Sequence, residues 1–425
     1  MSLLLKDVTR LVTCRAKTSF PKKGKSLSDV SPEKNTNVFL NNKRIEFIGS
    51  SKELSAYLRQ SNIKNFDEID CKNKTVMPGF VDSHTHMVFA GERENEYEER
   101  IKGATYQQIA AKGGGILSTV RAVRRASKAV LLELAEKRLY NFVRYGTTTL
   151  EAKSGYGLDF SNELKLLNVI NELAKNNKYS LDIIPTFLGA HAVPPEVGKE
   201  EYLQLVLYKM IPEIARRQLA VFIDVFCEKG YFNRKETEEI LDSGKRFGLV
   251  PKLHTDQFNS IGGIPAAIKQ SAISVDHLEV TNTEDIKALS EYNSGKQNYM
   301  MATMLPGVSY FLDISYPPAR EMIENKVPVA LATDFNPGSC MTENLQFIMS
   351  LASSKLKMSV EEIINAVTYN GACAVYKQDT VGSIEVGKQA DVLVFDMKDY
   401  KELVYHFGVN MIEYVIKKGK VIHKA

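Results

Sequence analysis

The sequence predicts an α/β fold built around a (β/α)8 TIM barrel. Between about residues 80 and 375, short runs rich in Val, Ile, Thr and Phe alternate with amphipathic stretches of helical period, a rhythm typical of repeated β/α units. Eight such runs occur, and a closed barrel of this kind needs eight strands. The 425 residues are enough for this barrel and one smaller domain.

The eight apolar runs are the predicted barrel strands. In chain order they cover residues 79–86, 147–153, 183–191, 222–228, 250–256, 273–279, 300–305 and 327–334. Residues 234–247 are predicted to form one of the intervening helices, because Asn233 is a good N-cap and Gly248 is a good stop. Pro317 and Pro318 fit the first turn of another helix.

The two ends of the chain differ from the barrel. Short alternating runs such as 38–48 occur before it, and 381–396 and 411–423 repeat the pattern after it. Because alternation of this kind predicts strands, both ends are expected to contribute to one sheet. Residues 18–37 are interpreted as a polar surface excursion.

The composition excludes several classes of protein. Hydrophobic residues make up 44% and charged residues 25%, as in ordinary globular proteins. The net charge is +4, and outside residues 22–25 the basic side chains are interleaved with acidic ones, so no nucleic-acid partner is expected. We expect a cytoplasmic protein without a membrane partner, because no apolar run reaches about 18 residues and no secretion leader is recognisable. The five scattered cysteines favour neither a disulfide framework nor a structural zinc cluster.

Five of the seven histidines fall at or near the C-terminal ends of predicted strands, where barrel active sites are built. They are His84, His86, His191, His254 and His277. The first two are one residue apart and project to the same side of a strand, where they can share a cation; the alternative is a pair of ordinary surface histidines. Asp334 ends the eighth strand beside the first, and its alternative role is that of a helix N-cap. The predicted ligands of one zinc or iron ion are therefore His84, His86, His254 and Asp334.

This metal set predicts hydrolysis. A bound zinc or iron ion lowers the pKa of its water to about 7 and polarises a carbonyl. Asp334 is predicted to be the general base that passes a proton to the leaving nitrogen. His277 is predicted to hydrogen-bond the developing oxyanion, and its alternative is a satisfied core histidine. Gln257 stands where deaminases on this scaffold carry a proton-shuttling glutamate; because glutamine cannot shuttle a proton, the opening of a cyclic amide is favoured over deamination.

Five further motifs carry a resemblance to a known family. They are Phe89-Ala-Gly-Glu-Arg93, residues 113–122, Lys153-Ser-Gly-Tyr-Gly157, residues 187–195 and Thr333-Asp-Phe-Asn-Pro-Gly338. In this order along the barrel, they resemble the imidazolonepropionase family of metal-dependent amidohydrolases. The sequence departs from the family at Thr255, where alanine is expected, and in the long segment 18–37.

The resemblance implies a substrate, a cofactor and a set of contacts. The substrate is a small molecule, 4-imidazolone-5-propanoate, which is hydrolysed to N-formimidoyl-L-glutamate with zinc or iron as the cofactor. The same four metal ligands are implied. The implied substrate contacts are Arg93, Tyr156, His191, Gln257, Asn336, Gly338 and Ser339. An arginine fork and a tyrosine hydroxyl suit the propanoate carboxylate, whereas the alternative for Arg93 is a place in a solvated charged face.

The resemblance also implies the domain organisation. Amidohydrolase chains return after the barrel to a composite β-sandwich built from both termini, and residues 382–396 resemble that stretch. The expected division is 1–78, 79–375 and 376–425. Many amidohydrolases hold two metals with a carboxylated lysine on strand four; here that strand lacks lysine and Lys153 ends strand two, so a mononuclear site with a structural Lys153 is expected. A homodimer is the family expectation.

Two other functions stay open at this point. One is a related aminohydrolase that acts on a guanine-, cytosine- or triazine-like ring and releases ammonia. The other is a catalytically silent barrel that serves as a binding module. The complete set of three histidines and one aspartate argues against the second, which would lack tightly bound transition metal.

Overall fold

Eight parallel strands form a barrel, so the predicted fold is confirmed. The computed structural model describes residues 2–104, 108–109, 113–295 and 298–425. The strands of these residues, numbered in chain order, are β1 (Leu3–Val12), β2 (Pro32–Asn41), β3 (Arg44–Gly49), β4 (Asp67–Asp70), β5 (Thr75–Pro78), β6 (Phe80–Asp82), β7 (Thr147–Lys153), β8 (Asp182–Ala190), β9 (Phe222–Cys227), β10 (Val250–Thr255), β11 (Ser274–His277), β12 (Met301–Met304), β13 (Val329–Leu331), β14 (Val392–Phe395), β15 (Ile412–Lys417) and β16 (Lys420–Lys424).

Helices connect the barrel strands. The α-helices of the described residues are Ser51–Gln60, Glu94–Ile101, Ile116–Arg125, Lys128–Arg144, Phe160–Asn176, Lys199–Leu205, Ile211–Arg216, Arg234–Arg246, Gly263–Gln270, Thr283–Tyr292, Pro306–Leu312, Ala319–Glu324, Leu345–Ser354, Val360–Ala366, Tyr369–Ala374 and Glu402–Tyr405. A 3-10 turn covers Gly24–Ser28 and a π-helical turn covers Val206–Met210. Within the described residues, no helix combines the length and the apolar character needed to cross a lipid bilayer.

The barrel closes just beyond the ends of its first and last strands. Strands β6 to β13 follow one another in chain order in a single sheet. Beyond them, the N–H of Asp334 donates to the carbonyl of His84, and the N–H of His86 donates to the carbonyl of Phe335, both at 3.0 Å. The predicted runs 79–86 and 327–334 are therefore strands only at Phe80–Asp82 and Val329–Leu331, because their remaining residues form this closure. Closure places Asp334 beside His84 and His86.

The second domain is one mixed sheet with the order β16-β15-β14-β5-β1-β2-β3, and β4 also pairs with β1. Both ends of the chain contribute, as the sequence predicts, since β1 to β5 precede the barrel and β14 to β16 follow it. The predicted run 38–48 is two strands, which turn at Asn42 and Lys43 with φ of 49° and 69°. The exact division into 1–78, 79–375 and 376–425 stays a prediction.

A partly buried ionic contact joins the two domains. Asp182 begins barrel strand β8, and Lys417 ends strand β15 of the terminal sheet. The Nζ of Lys417 lies 2.7 Å from Oδ2 of Asp182, and the Nζ of Lys418 lies 2.8 Å from Oδ1. Because Lys417 also contacts Asp391 at 2.6 Å, one ammonium group connects both sheets.

The prediction of a surface excursion at 18–37 is wrong in part. Leu27 and Val30 are fully or almost fully buried, and β2 already begins at Pro32. Lys22 is only 5% exposed, and its Nζ donates to Oδ1 of Asn365 at 3.1 Å. The segment packs because buried acceptors satisfy a lysine that the sequence alone assigns to solvent.

Both helix predictions hold with small shifts. The helix Arg234–Arg246 begins after Asn233, whose side chain accepts a hydrogen bond from the N–H of Glu236. The later helix begins at Ala319 with Pro318 as its N-cap, so both prolines precede the first turn instead of occupying it.

Candidate active site

The predicted metal ligands lie together at the C-terminal end of the barrel. His84 and His86 follow β6, His254 lies near the end of β10, and Asp334 follows β13. All four are at most 2% exposed. A fifth residue, His277, ends β11 and is 3% exposed. Four different barrel strands therefore deliver five polar side chains to one buried volume.

The ligand atoms of these residues converge. The Nε2 atoms of His84 and His86 each lie 3.3 Å from Oδ1 of Asp334. The Nε2 of His254 lies 3.4 Å from the Nε2 of His86. Two overlapping groups, each with ligand atoms within 4.8 Å of one another, are His84, His86 and Asp334, and His84, His254 and His277. The arrangement suits a single cation.

The donor set fits a transition metal. Among the described residues, Nε2 of His84 and Oδ1 of Asp334 are buried without a hydrogen-bond partner. Such orphaned polar atoms each cost about 1–3 kcal/mol, and a cation between them would satisfy both. Three imidazoles with one carboxylate match the preferences of zinc and iron, whereas magnesium and calcium prefer oxygen ligands.

Two carboxylates that sequence reasoning missed hold the ligand histidines from behind. Oδ2 of Asp276 lies 2.7 Å from Nδ1 of His84, and Oδ2 of Asp224 lies 3.0 Å from Nδ1 of His254. Contacts of this kind fix the tautomer and the orientation of a ligand imidazole. The available signal was an acidic residue in the middle of each of two predicted strands, 222–228 and 273–279.

Lys153 lies behind these carboxylates as a fully buried ammonium group. Its Nζ is 2.7 Å from Asp224, 2.9 Å from Glu151 and 3.7 Å from Asp276. Lys252 adds a second buried ammonium 2.7 Å from Glu151. Alternating charges therefore compensate one another beneath the site, and the carboxylates raise the pKa of Lys153 despite its burial.

The site has a strong affinity for positive charge. Burial and the nearby Lys153 oppose protonation of His84, yet the carboxylates of Asp276 and Asp334 raise its pKa to about 9. Burial opposes the ionisation of Asp334, but His84 and His86 hold its pKa well below the usual range. Burial lowers the pKa of His254 far below its ordinary value. A metal ion binds the carboxylate and the neutral form of each imidazole, so its binding would displace the proton from His84.

A cavity of about 610 Å³, including its mouth, opens above the ligands. All seven predicted substrate contacts line it, together with His86, His254, His277 and Asp334, whereas His84 is not part of its lining. Five lining residues were not predicted from the sequence: Ile116, Phe226, Tyr231, Phe258 and Leu312. Their apolar surfaces suit the faces of a small ring, with polar groups placed around its edge.

Arg93 turns into this cavity and not into a solvated charged face. Its side chain is 8% exposed, and its Nε lies 2.8 Å from Oε2 of Glu96. The guanidinium group packs so closely on Gly338 that a Cβ added there would collide with Nη1. Glycine at position 338 therefore makes room for the arginine fork at the cavity wall.

Tyr156 and His191 form the neighbouring part of the wall. Their ring centroids are 5.5 Å apart, and His191 stacks on His86 at 5.3 Å. Nδ1 of His191 lies 3.1 Å from the carbonyl oxygen of Gly155. Burial and the neighbouring His86 lower the pKa of His191 to about 3, so the ring is neutral at physiological pH. The carbonyl can only accept, so Nδ1 carries the proton and Nε2 is an acceptor.

Asn336 and Ser339 contact Asp334 itself. The Nδ2 of Asn336 donates to Oδ2 of Asp334 at 2.9 Å, and the hydroxyl of Ser339 donates to the same oxygen at 3.2 Å. The Oδ1 of Asn336 accepts the N–H groups of Gly338 and Ser339 at 2.8 and 2.9 Å. These hydrogen bonds engage Oδ2 of Asp334, while Oδ1 faces the imidazoles of His84 and His86.

Comparisons with known proteins point to one family. Models described as "Amidohydrolase family" match residues 235–422 and 67–116. The chain is similar to an imidazolonepropionase of Flavobacterium johnsoniae, with 43% identity over 425 residues that cover 99% of this chain and 100% of the relative. An imidazolonepropionase of Alkaliphilus metalliredigens is 40% identical over 428 residues, covering 99% of this chain and 98% of the relative.

Solved structures share the fold at much lower identity. A triazine hydrolase from Arthobacter aurescens superposes with a TM-score of 0.75 and 14% identity, covering 100% of this chain and 95% of that chain. A zinc-bound adenosine deaminase from Xanthomonas campestris gives a TM-score of 0.72 and 14% identity, covering 99% of this chain and 92% of that chain. These two structures support the architecture alone.

Proposed function

The chain belongs to the imidazolonepropionase family of amidohydrolases, and we propose that its barrel site performs the ring opening with the residues described above. It is accordingly a hydrolase that acts on carbon–nitrogen bonds, as the sequence predicts. One observation carries the residue assignment: three imidazoles and the Asp334 carboxylate converge at a cavity that Arg93 and Tyr156 also line.

The reaction adds one water to 4-imidazolone-5-propanoate. A new carbon–oxygen bond forms at the ring carbonyl carbon, and the adjacent ring carbon–nitrogen bond breaks. The proton lost by the water ends on the departing nitrogen, which stays attached to the product, N-formimidoyl-L-glutamate. No ammonia is released.

The metal would be held by His84, His86, His254 and Asp334. When bound, zinc or iron supplies a hydroxide nucleophile near neutral pH and polarises the ring carbonyl. We propose either of these metals because the donor set is rich in imidazole. The carboxylates of Asp276 and Asp224 would keep two of the rings in the productive orientation.

Asp334 is the proposed proton carrier. Its depressed pKa keeps it ionised, and Asn336 and Ser339 engage one of its oxygens. The carboxylate can take the proton of the attacking water and deliver it to the ring nitrogen. His277, whose Nδ1 lies 3.5 Å from Oε1 of Glu279, is the proposed hydrogen-bond donor to the developing oxyanion.

The cavity wall offers partners for both ends of the substrate. Arg93 and Tyr156 provide a charged fork and a hydroxyl for the propanoate carboxylate. His191 offers the Nε2 lone pair to a ring N–H, since its Nδ1 proton is engaged by Gly155. Gln257, which is 7% exposed, offers one donor and one acceptor to the ring edge.

Gln257 also separates this proposal from the aminohydrolase alternative. Deamination needs a group that carries protons to the ring and to the departing ammonia, and an amide cannot do so. The deaminase and triazine hydrolase that share the fold are only 14% identical to this chain. A homodimer and a cytoplasmic location stay predictions.

The test combines metal analysis with a product assay. The purified protein should hold about one equivalent of zinc or iron and convert imidazolonepropanoate to formimidoylglutamate without ammonia. Stoichiometric ammonia would instead support the aminohydrolase. The proposal would be contradicted if the purified protein held no metal and remained inactive after zinc or iron was added.

A further inference from the structure

We propose that Glu163 is a positioning residue for the substrate-binding loop, by which we mean residues 154–158. The inference rests on the proposed function, because Tyr156 of this loop and the neighbouring His191 are proposed substrate contacts. Glu163 lies outside the cavity lining and in the first turn of the helix Phe160–Asn176. Its action on the substrate is therefore indirect.

The carboxylate of Glu163 accepts hydrogen bonds from the backbone N–H groups next to Tyr156. It accepts from Gly157 at 2.7 Å, from Leu158 at 3.1 Å and from Gly155 at 3.1 and 3.2 Å to its two oxygens. Glu163 is fully buried, and within the described part of the chain no ion pair involves it. A buried carboxylate saturated by backbone donors is a strong local constraint.

The loop needs such a constraint because its backbone is unusual. Gly155 has a φ of 113° and Leu158 a φ of 51°, which L-residues seldom adopt. At Gly157, an added Cβ would collide with the backbone of Asn162 and Glu163. The loop thus packs against the start of its own helix, and the carboxylate supplies acceptors for its N–H groups.

Arg124 holds the opposite edge of the loop. Its Nε donates to the carbonyl of Gly157 at 2.8 Å, and its Nη2 donates to the carbonyl of Leu158 at 3.0 Å. Glu163 therefore binds the N–H groups from the protein interior while Arg124 binds carbonyl groups from the surface side. Together, the hydrogen bonds of Glu163 and Arg124 fix the loop on which Tyr156 lines the cavity.

The hydrogen bonds of Glu163 also affect the position of His191. The carbonyl of Gly155, whose N–H is bound by Glu163, is the group that accepts from Nδ1 of His191 at 3.1 Å. A shift of the Gly155 backbone would displace Tyr156 and would also remove the hydrogen bond that fixes the tautomer of His191. One buried carboxylate therefore positions two proposed substrate contacts, while its hydrogen bonds to the loop touch none of the metal ligands.

The test is Glu163→Gln, which replaces one acceptor oxygen by an amide donor facing the same N–H groups. Hydrogen exchange at residues 155–158 should accelerate at least about tenfold. KM for imidazolonepropanoate should rise about tenfold with kcat within about threefold, and bound metal should be unchanged. Glu228→Gln is the matched control, because Glu228 is also buried but accepts hydrogen bonds from the N–H groups of Phe258 and Asn259. In this control, hydrogen exchange should accelerate at Phe258 and Asn259 and not at residues 155–158.

A double-mutant cycle with Tyr156→Phe separates positioning from a general structural effect. If Glu163 acts through the loop, adding Glu163→Gln to Tyr156→Phe should raise KM by less than about threefold. Multiplication of the two full effects would overturn the proposal. If Glu163→Gln does not fold, Glu163→Asp, which withdraws the carboxylate by one methylene, should give the same pattern of exchange.

The two proposals fail separately. Unchanged exchange at 155–158 in a folded Glu163 variant overturns the role of Glu163, whatever the substrate is. Absence of imidazolonepropanoate hydrolysis by the metal-loaded wild-type protein overturns the proposed function, and the exchange measurement still decides the role of Glu163.

Discussion

Replacing Asp276 with asparagine is expected to weaken metal binding. Oδ2 of Asp276 lies 2.7 Å from Nδ1 of His84, and both side chains are fully buried. Asparagine keeps a similar shape and can still accept a hydrogen bond, but it carries no charge. The ring of His84 then loses the charge that increases its basicity and strengthens the hydrogen bond that orients it.

The magnitude follows from the type of bond that is lost. A hydrogen bond to a charged group contributes about 1.5–3 kcal/mol, whereas a neutral one contributes about 0.5–1.5 kcal/mol. The difference of roughly 1.4 kcal/mol corresponds to about tenfold in affinity. Because Lys153, 3.7 Å from Asp276, also loses a partner, the expected loss lies between about tenfold and a hundredfold.

Zinc competition against a chromogenic chelator measures this directly. Asp256→Asn is the matched control, because Asp256 is buried at the same end of the barrel but its carboxylate contacts the hydroxyls of Thr255 and Thr281, each at 3.0 Å. The control should bind zinc within about twofold of the wild-type protein. Wild-type affinity in a folded Asp276→Asn variant would refute the argument that this carboxylate supports the ligand.

Three further substitutions test other parts of the account. Asp334→Asn should abolish turnover even when metal is supplied in excess, and wild-type kcat in the metal-loaded variant would contradict the proton-carrier role. Arg93→Ala should raise KM for imidazolonepropanoate by about a hundredfold, with a smaller effect on kcat; unaltered kinetics would place the carboxylate receptor elsewhere. Asp182→Asn should lower the free energy of unfolding by about 2 kcal/mol at pH 6, measured by urea denaturation.

The pH dependence of the last variant has a definite sign. Burial would raise the pKa of Asp182, but Lys417 and Lys418 lower it to about 2 from an ordinary 3.8. A depressed pKa stabilises the folded state above the unfolded value, so the contribution is complete above about pH 5 and disappears as the pH falls from about 4 to 2. The variant and the wild-type protein should therefore converge in stability near pH 2. A constant difference across that range would contradict the assignment.

The barrel and the position of its polar end were predictable because they rest on simple periodicity. Runs such as 147–153 and 222–228 are short and rich in β-branched or aromatic residues, and their observed strands match to within one residue. His84, His86, His254 and Asp334 stand at the ends of such runs, so a closed barrel had to bring them to one end. The spacing could not predict the register that places Asp334 beside His84. This register depends on the hydrogen bonds that close the barrel beyond the ends of the strands.

The roles of the supporting residues could not be predicted from the sequence for physical reasons. Asp224, Asp276 and Glu163 are carboxylates in a chain with 51 acidic residues, and only the three-dimensional packing shows which of them are buried. The burial of Lys22 could not be predicted for the same reason, because a lysine is expected in solvent unless its buried acceptors are known. The apolar cavity wall, such as Phe226 and Leu312, comes from residues that look like ordinary core.

Anomalous diffraction at the zinc or iron edge from crystals of the metal-loaded protein would show whether these four side chains share one metal ion. We expect one peak about 2.0–2.2 Å from Nε2 of His84, His86 and His254 and from Oδ1 of Asp334. No peak at this position, or a peak bound by other side chains, would contradict this expectation.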